Sequence, residues 1–233
     1  MLNGNDITTV SLMLNSPEIA EENRNFHDSC SVIDHAVQFK SELSQNRISR
    51  GRKTMGKVFD TIDEEMENWI RQRELFFVAT APLSSKGLLN CSPKGLDSFR
   101  VLGPTTVGYV DITGSGIETA AHLQENGRIV IMFCAFDGPP KIVRLYGTGK
   151  FHSLDSREFD RWKHRFGNHV GVRGMVEVNL TRISDSCGFG VPKFEFKGQR
   201  ETLSQSLNTK SEPELVDYRR RKNSHSIEGL PGI

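Results

Sequence analysis

The chain has 233 residues, 36% of them hydrophobic and 25% charged, and its 30 Lys+Arg against 29 Asp+Glu leave a formal net charge of +1. Such a balance supplies no global field to hold a polyanion, so no nucleic-acid partner is expected. Collagen-like, coiled-coil, membrane-spanning and disulfide-scaffold chains are excluded by the same arithmetic.

The four cysteines, Cys30, Cys91, Cys134 and Cys187, form no Cys-x-x-Cys pair and none sits beside His at zinc-ligand spacing. They read as reduced, mostly buried thiols, with no metal site. The opening Met1-Leu2-Asn3-Gly4-Asn5-Asp6 has no basic n-region and no long apolar run, so neither a secretory signal nor a membrane partner is expected. The expected location is cytoplasmic.

Three regions follow from the distribution of apolar residues. Residues 1–54 are rich in Asn, Ser, Glu and Asp, and their composition predicts a flexible extension with at most a short helix around Ile33, Val37 and Phe39. It ends in the basic cluster Arg50-Gly51-Arg52-Lys53, read as a solvated charge run or an address for an acidic partner. A folded domain is expected over residues 55–191, and a polar tail over residues 192–233.

Within the domain, Thr61-Ile62-Asp63-Glu64 has the form of a capping box, and Ile62, Met66, Trp69 and Ile70 recur at helical spacing, predicting a helix over residues 61–72. Residues 75–81 and 88–94 read as paired strands around the turn Ser84-Ser85-Lys86-Gly87. A third strand is expected over 105–112, a short helix over 117–125 closed by Asn126-Gly127, and a fourth strand over 128–136. Residues 141–152 alternate, with Ile142, Arg144 and Tyr146 opposite Val143, Leu145 and Gly147, as expected of a fifth strand. A helix over 156–166, a sixth strand over 175–183 and a helix over 214–222 complete the reading. Six strands in hairpin-like succession with few short helices predict a mainly β (α+β) fold, an antiparallel barrel rather than a doubly wound parallel sheet.

The segment Asp111-Ile112-Thr113-Gly114-Ser115-Gly116-Ile117-Glu118-Thr119 follows a strand and opens a helix. Gly114 and Gly116 allow close backbone approach, and Thr113, Ser115 and Thr119 carry hydroxyls. The first N–H groups of a helix lack intrahelical partners and carry partial positive charge, which suits a phosphate. A plain helix cap with a tight turn is the other reading. The segment lacks the Gly-Lys-Ser/Thr of a P-loop. Lys94, at a strand end beside Gly95, is a candidate counter-charge. Arg144, inside an apolar run, needs either a carboxylate or a bound anion. No nucleophile–base set stands out, and His122, His152, His164 and His169 read as ordinary histidines. A phosphate cradle without acid–base machinery points to a ligand that brings its own chemistry, as a redox cofactor does.

The run Leu89-Asn90-Cys91-Ser92-Pro93-Lys94-Gly95, then Gly108-Tyr109-Val110-Asp111-Ile112-Thr113-Gly114-Ser115-Gly116, then Arg144-Leu145-Tyr146-Gly147-Thr148-Gly149, resembles the pyridoxamine 5′-phosphate oxidase-related proteins. The closing Ser226-Ile227-Glu228-Gly229-Leu230-Pro231-Gly232 is similar to the tail of one subgroup. The resemblance implies a split β-barrel that binds FMN as a homodimer, with the flavin at the subunit interface. It implies that Ser92 and Lys94 run beside the flavin, that Asp111, Thr113, Gly114, Ser115, Gly116 and Thr119 face its phosphate or ribityl chain, and that Arg144 lies near the same cleft. It also implies a flavin-dependent oxidoreductase acting on a small molecule. The oxidases that give the family its name carry an Arg-rich phosphate set where this chain has Asn90-Cys91-Ser92-Pro93 and Ile117-Glu118-Thr119, and a Trp and an Arg near the substrate that this tail lacks at matching positions. These departures point away from the vitamin substrate. They leave a non-catalytic flavin-binding or regulatory module as the alternative, and a deazaflavin as a further candidate ligand.

Overall fold

The computed structural model describes residues 56–233. The expected extension, its short helix, the cluster at Arg50 to Lys53 and Cys30 lie outside the described residues.

The chain runs β1 (Val58–Phe59), α1 (Glu64–Arg71), β2 (Phe76–Thr80), β3 (Asn90–Lys94), β4 (Phe99–Gly103), β5 (Thr106–Ile112), α2 (Glu118–Glu125), β6 (Arg128–Cys134), β7 (Ile142–Ser153), α3 (Arg157–Trp162), a 3₁₀ turn (Lys163–Arg165), β8 (Val172–Ser186), α4 (Thr202–Asn208) and α5 (Glu212–Lys222). All six expected strands are present, and β1 and β4 bring the count among the described residues to eight. β4 escapes the sequence pattern because its five residues, Phe99-Arg100-Val101-Leu102-Gly103, put a charge inside a short apolar run.

Antiparallel pairing orders the strands β3-β2-β6-β7-β8-β5-β4, with β1 beside β8. The sheet curls around side chains that alternate with period two: Phe76 and Val78 of β2, Ile129, Ile131 and Phe133 of β6, Val143 and Leu145 of β7, Val176 and Val178 of β8. The end strands β3 and β4 do not pair with each other. Aromatic rings bridge the gap instead, Phe76 to Phe99 at 5.3 Å and Phe99 to Phe133 at 4.9 Å between centroids. This is a split barrel, closed by packing rather than by a hydrogen-bond ladder. A smaller cluster of Leu102, Val110, Phe166 and Met175, with Phe159 and Trp162 against it, seats α3 outside the barrel.

Two local details differ from the sequence reading. α1 starts at Asp63, whose carboxylate accepts the Met66 N–H at 2.8 Å, so the Thr61–Glu64 capping box does not form. Asp63 is the better cap because it stands three residues before Met66, the first buried residue of the helix. Of the described cysteines, Cys134 is buried but Cys91 and Cys187 are exposed. Cys91 faces out because β3 is an edge strand whose other face, Asn90, Ser92 and Lys94, is the one partly covered. Among the described residues no helix is long and apolar enough to cross a membrane.

Leu145 is fully buried and the Asp63 cap lies at the surface. Leu145→Ala is expected to cost about 2–5 kcal/mol, and Asp63→Ala only about 0.5–2 kcal/mol. Urea unfolding of the two variants beside the wild type checks this order.

Candidate functional site

β5 ends in Asp111 and Ile112, and the chain then turns through Thr113 to Ile117 into α2. The β5–β8 ladder pairs Asp111 with Gly174 but Ile112 with Val172, so Arg173 is the extra residue of a bulge. A bulge re-aims its side chain, and here Arg173 Nε donates to Asp111 Oδ2 at 2.7 Å. From the far side of the barrel split, Lys94 Nζ reaches Asp111 Oδ1 at 3.2 Å. Burial alone would raise the Asp111 pKa, but Lys94 and Arg173 outweigh it, and the carboxyl is held below the ordinary value of 3.8.

The turn is covered by the C-terminal segment. Arg219 of α5 donates through Nε to Thr113 Oγ1 at 2.9 Å and through a terminal nitrogen to the Val172 carbonyl at 3.2 Å. Asn223, which ends α5, donates to the Gly114 carbonyl at 2.9 Å. Beyond it, Glu228 accepts the Leu88 N–H at 3.0 Å and the Ser226 hydroxyl at 2.9 Å, and Gln124 of α2 donates to the Gly232 carbonyl at 2.9 Å. The Ser226-to-Gly232 motif is therefore a docked clasp over α2 and the start of β3.

The expected site residues divide into four groups. Lys94, Asp111, Thr113 and Gly114 meet in one charged cluster, and Asp111 is the buried counter-ion of that cluster. The Thr113 hydroxyl is already used, donating to the Gly171 carbonyl at 2.7 Å and accepting from Arg219. Thr119 accepts from Asn90 Nδ2 at 2.9 Å, and Ser92 donates to Asn90 Oδ1 at 3.0 Å, so both support the cradle through Asn90. Ser115 and Gly116 are exposed and form its lip. The Glu118 carboxylate lies beside Gly116, where a Cβ would meet it at 2.5 Å. Arg144 is not brought to this place within the chain. It pairs across the ladder with Ser184 and donates to Ser186 Oγ at 2.9 Å, near the opposite end of β8 from Arg173. Among the described residues that hydroxyl is its one side-chain partner, and it has no carboxylate. Three surface cavities, of about 450, 560 and 270 Å³, are lined by other residues, and only Ile112 borders one of them.

Arg173, Arg219 and Asn223 belong to the site and escaped the sequence reading. Asp111 carried the one available signal, since a carboxylate in the apolar strand Tyr109-Val110-Asp111-Ile112 demands a cation. Two buried polar atoms here have no hydrogen-bond partner, the Tyr109 hydroxyl and Asn223 Oδ1. Thr119 lies close to the Tyr109 hydroxyl without a hydrogen bond of ordinary geometry. Burial, and then Asp111, push the Tyr109 pKa well above 10, so the phenol stays a donor.

His122 is fully buried, with Nδ1 3.0 Å from Thr80 Oγ1 and Nε2 3.5 Å from Glu228 Oε2. The latter approach lacks hydrogen-bond geometry. Thr80 is buried as well and also accepts from Asn90. Thr80 and His122 are closed to solvent while Glu228 keeps 15% of its side-chain surface exposed, so the series packs the clasp against β2.

Comparison with known proteins now bears on this arrangement. The family model described as pyridoxamine 5′-phosphate oxidase matches residues 62–187, from α1 to the end of β8. The chain belongs to the pyridoxamine 5′-phosphate oxidase family. It is 36% identical over 192 residues to the "Pyridoxamine 5′-phosphate oxidase family protein ustO" of Aspergillus flavus, covering 75% of this chain and 77% of the relative. Among solved structures it is similar to HupZ of Group A Streptococcus, at 25% identity, TM-score 0.42, 52% of this chain and 91% of that one. It is also similar to an FMN-binding protein from Syntrophomonas wolfei, at 16% identity, TM-score 0.37, 65% of this chain and 94% of that one. In this member of the pyridoxamine 5′-phosphate oxidase family the cations at the turn are Lys94 of β3, a counter-charge expected from the sequence, with Arg173 of β8 and Arg219 of α5, which were not expected.

Asp111→Asn leaves Arg173 buried without its counter-ion and is expected to cost about 3–5 kcal/mol. The folded pKa of Asp111 is depressed, so its contribution is complete above the unfolded value of about 3.9 and is lost as pH falls through the lower folded value. Urea unfolding at pH 7, 4 and 3 checks both points, and the variant should lose less stability over the acid range than the wild type.

Proposed function

We propose that the Asp111-to-Thr119 turn binds the phosphate of FMN and that the protein is an FMN-dependent oxidoreductase of a small molecule, working as a homodimer in the cytoplasm. The observation that carries this reading is the charge at the turn. Lys94, Arg173 and Arg219 converge on it against one buried carboxylate, Asp111. The acids Glu212 and Glu118 that also approach are less buried, so solvent screens them more strongly. The orphaned Tyr109 hydroxyl and Asn223 Oδ1 fit a site that expects a polar ligand or ordered water.

The residues that would hold the phosphate are Ser115, the lip N–H groups at the start of α2, and Lys94, whose side chain keeps 25% of its surface exposed. When bound, FMN supplies two-electron redox chemistry at its isoalloxazine ring. The chain's part is to place and charge-balance the ligand. Lys94 neutralises negative charge, Arg173 and Asp111 fix Lys94, Asn90 orients Ser92 and Thr119, and the Tyr109 phenol keeps its proton at neutral pH. A flavin reaction needs no protein nucleophile, which agrees with the buried, inaccessible Thr80–His122 pair. A substrate other than the vitamin is in keeping with the absence of the family's Arg set and C-terminal Trp.

A second reading, a binding or regulatory module that keeps the barrel without turnover, is favoured by one observation. The Thr113 and Thr119 hydroxyls are engaged inside the protein, and the Glu118 carboxylate sits at the lip.

Purified protein is expected to show flavin absorption, or to quench FMN fluorescence on titration. Lys94→Ala and Ser115→Ala should each weaken FMN by about 1–3 kcal/mol, the range of a lost charge-assisted bond. Colourless protein that leaves FMN fluorescence unchanged would defeat the proposal. FMN binding without oxidation of any reduced donor would favour the module.

A further inference from the structure

β3 joins β4 through two successive non-glycine residues in the left-handed region, Leu96 at φ 60° and Asp97 at φ 52°. Strain of this kind persists only where the surroundings enforce it, and it gathers at ligand sites. Gly95, Asp97 and Ser98 of this connection form one wall of the 450 Å³ cavity. That volume lies in the range of about 300–1,000 Å³ usual for small-molecule pockets.

The cavity lies between α1, the start of β2 and β4, where the barrel is split. Its apolar lining is Ile70, Phe76, Phe99, Val101 and Phe133. Phe99 is only partly buried, so an aromatic surface remains available to a ligand. Four arginines line the same cavity, and three are committed. Arg71 pairs with Glu67 at 2.7 Å, Arg73 with Asp137 at 2.9 Å while lying over the Trp69 ring, and Arg100 grips both Asp97 oxygens at 2.7 and 2.9 Å. The fourth, Arg165, leaves the 3₁₀ turn after α3 and donates once, to the Val101 carbonyl at 3.2 Å. It has no carboxylate partner among the described residues. A guanidinium has five N–H donors, and its fork matches a carboxylate. The remaining acid on the lining, Glu74, is exposed, as Arg165 is, and solvent screens both until a ligand covers them.

We propose that this cavity is a binding site for a compact aromatic carboxylate, its ring against Phe76, Phe99 and Phe133 and its acid on Arg165. No residue from 113 to 119 lines it, so the proposal stands independently of flavin binding.

Calorimetric titration of the full chain with 2-naphthoate tests it, with 2-naphthamide and 2-naphthylmethylamine as the neutral and cationic counterparts. Saturable one-site binding of the acid is expected, with the amide and the amine at least about tenfold weaker. Arg165→Ala should weaken the acid by a similar factor, Arg165→Lys should recover part of it, and the response to FMN should stay as in the wild type. Where the alanine variant lowers the Tm, Arg165→Gln, which retains a donor for the Val101 carbonyl, replaces it. The proposal is overturned by the absence of saturable acid binding, by an amide or amine that binds as tightly, or by undiminished binding to a folded Arg165 variant.

Discussion

The buried carboxylate of Asp111 holds together parts of the chain that the sheet alone leaves apart. Arg173 reaches it from the β8 bulge, and Lys94 reaches it from the edge strand β3, across the split in the barrel. A buried pair of this kind adds little net stability over an apolar replacement, while removal of one partner strands the other charge. Its consequence is therefore geometric. It fixes the side of β3 that faces α2, and it keeps positive charge under a turn whose helix already offers unpartnered N–H groups.

The C-terminal segment completes this arrangement. Arg219 and Asn223 take up the Thr113 hydroxyl and the Gly114 carbonyl, and Glu228 holds the N–H of Leu88 just before β3. The Thr113 and Gly114 groups are buried and half-buried parts of the cradle, so the tail is part of the site. Thr113, which in sequence offers a free hydroxyl to a ligand, becomes structural for this reason. Ser115 and Gly116 stay outside the clasp and keep the exposed position that a phosphate site requires.

Much of the fold was legible in the sequence because strand residues alternate with their burial. Val143 and Leu145 point inward, Arg144 and Tyr146 outward, and the helix before β6 closes at Asn126-Gly127 as its turn chemistry dictates. β4 was not legible, because Arg100 sits inside a strand of five residues. The start of α1 was misread, because Thr61 and Asp63 are competing caps two residues apart and only burial of Met66 decides between them. At the site, the strand–glycine–helix turn and Lys94 were visible, but the two arginines were not. Arg173 lies 62 residues from Asp111 and Arg219 lies 106 residues from Thr113, and both meetings depend on strand pairing and tail docking that local pattern does not encode. Arg144 shows the converse. Its position in an alternating strand calls for a carboxylate or an anion, and within the described residues it meets only the Ser186 hydroxyl, away from the turn.

The central claim is that this turn recognises a phosphate, and it is tested most directly by comparing FMN with riboflavin, which shares the ring and lacks the phosphate. In parallel calorimetric titrations of the 233-residue chain at neutral pH and low salt, the account predicts FMN bound at least about tenfold more tightly than riboflavin, the difference shrinking as salt rises. Equal affinities for the two, or a preference for riboflavin, would contradict it.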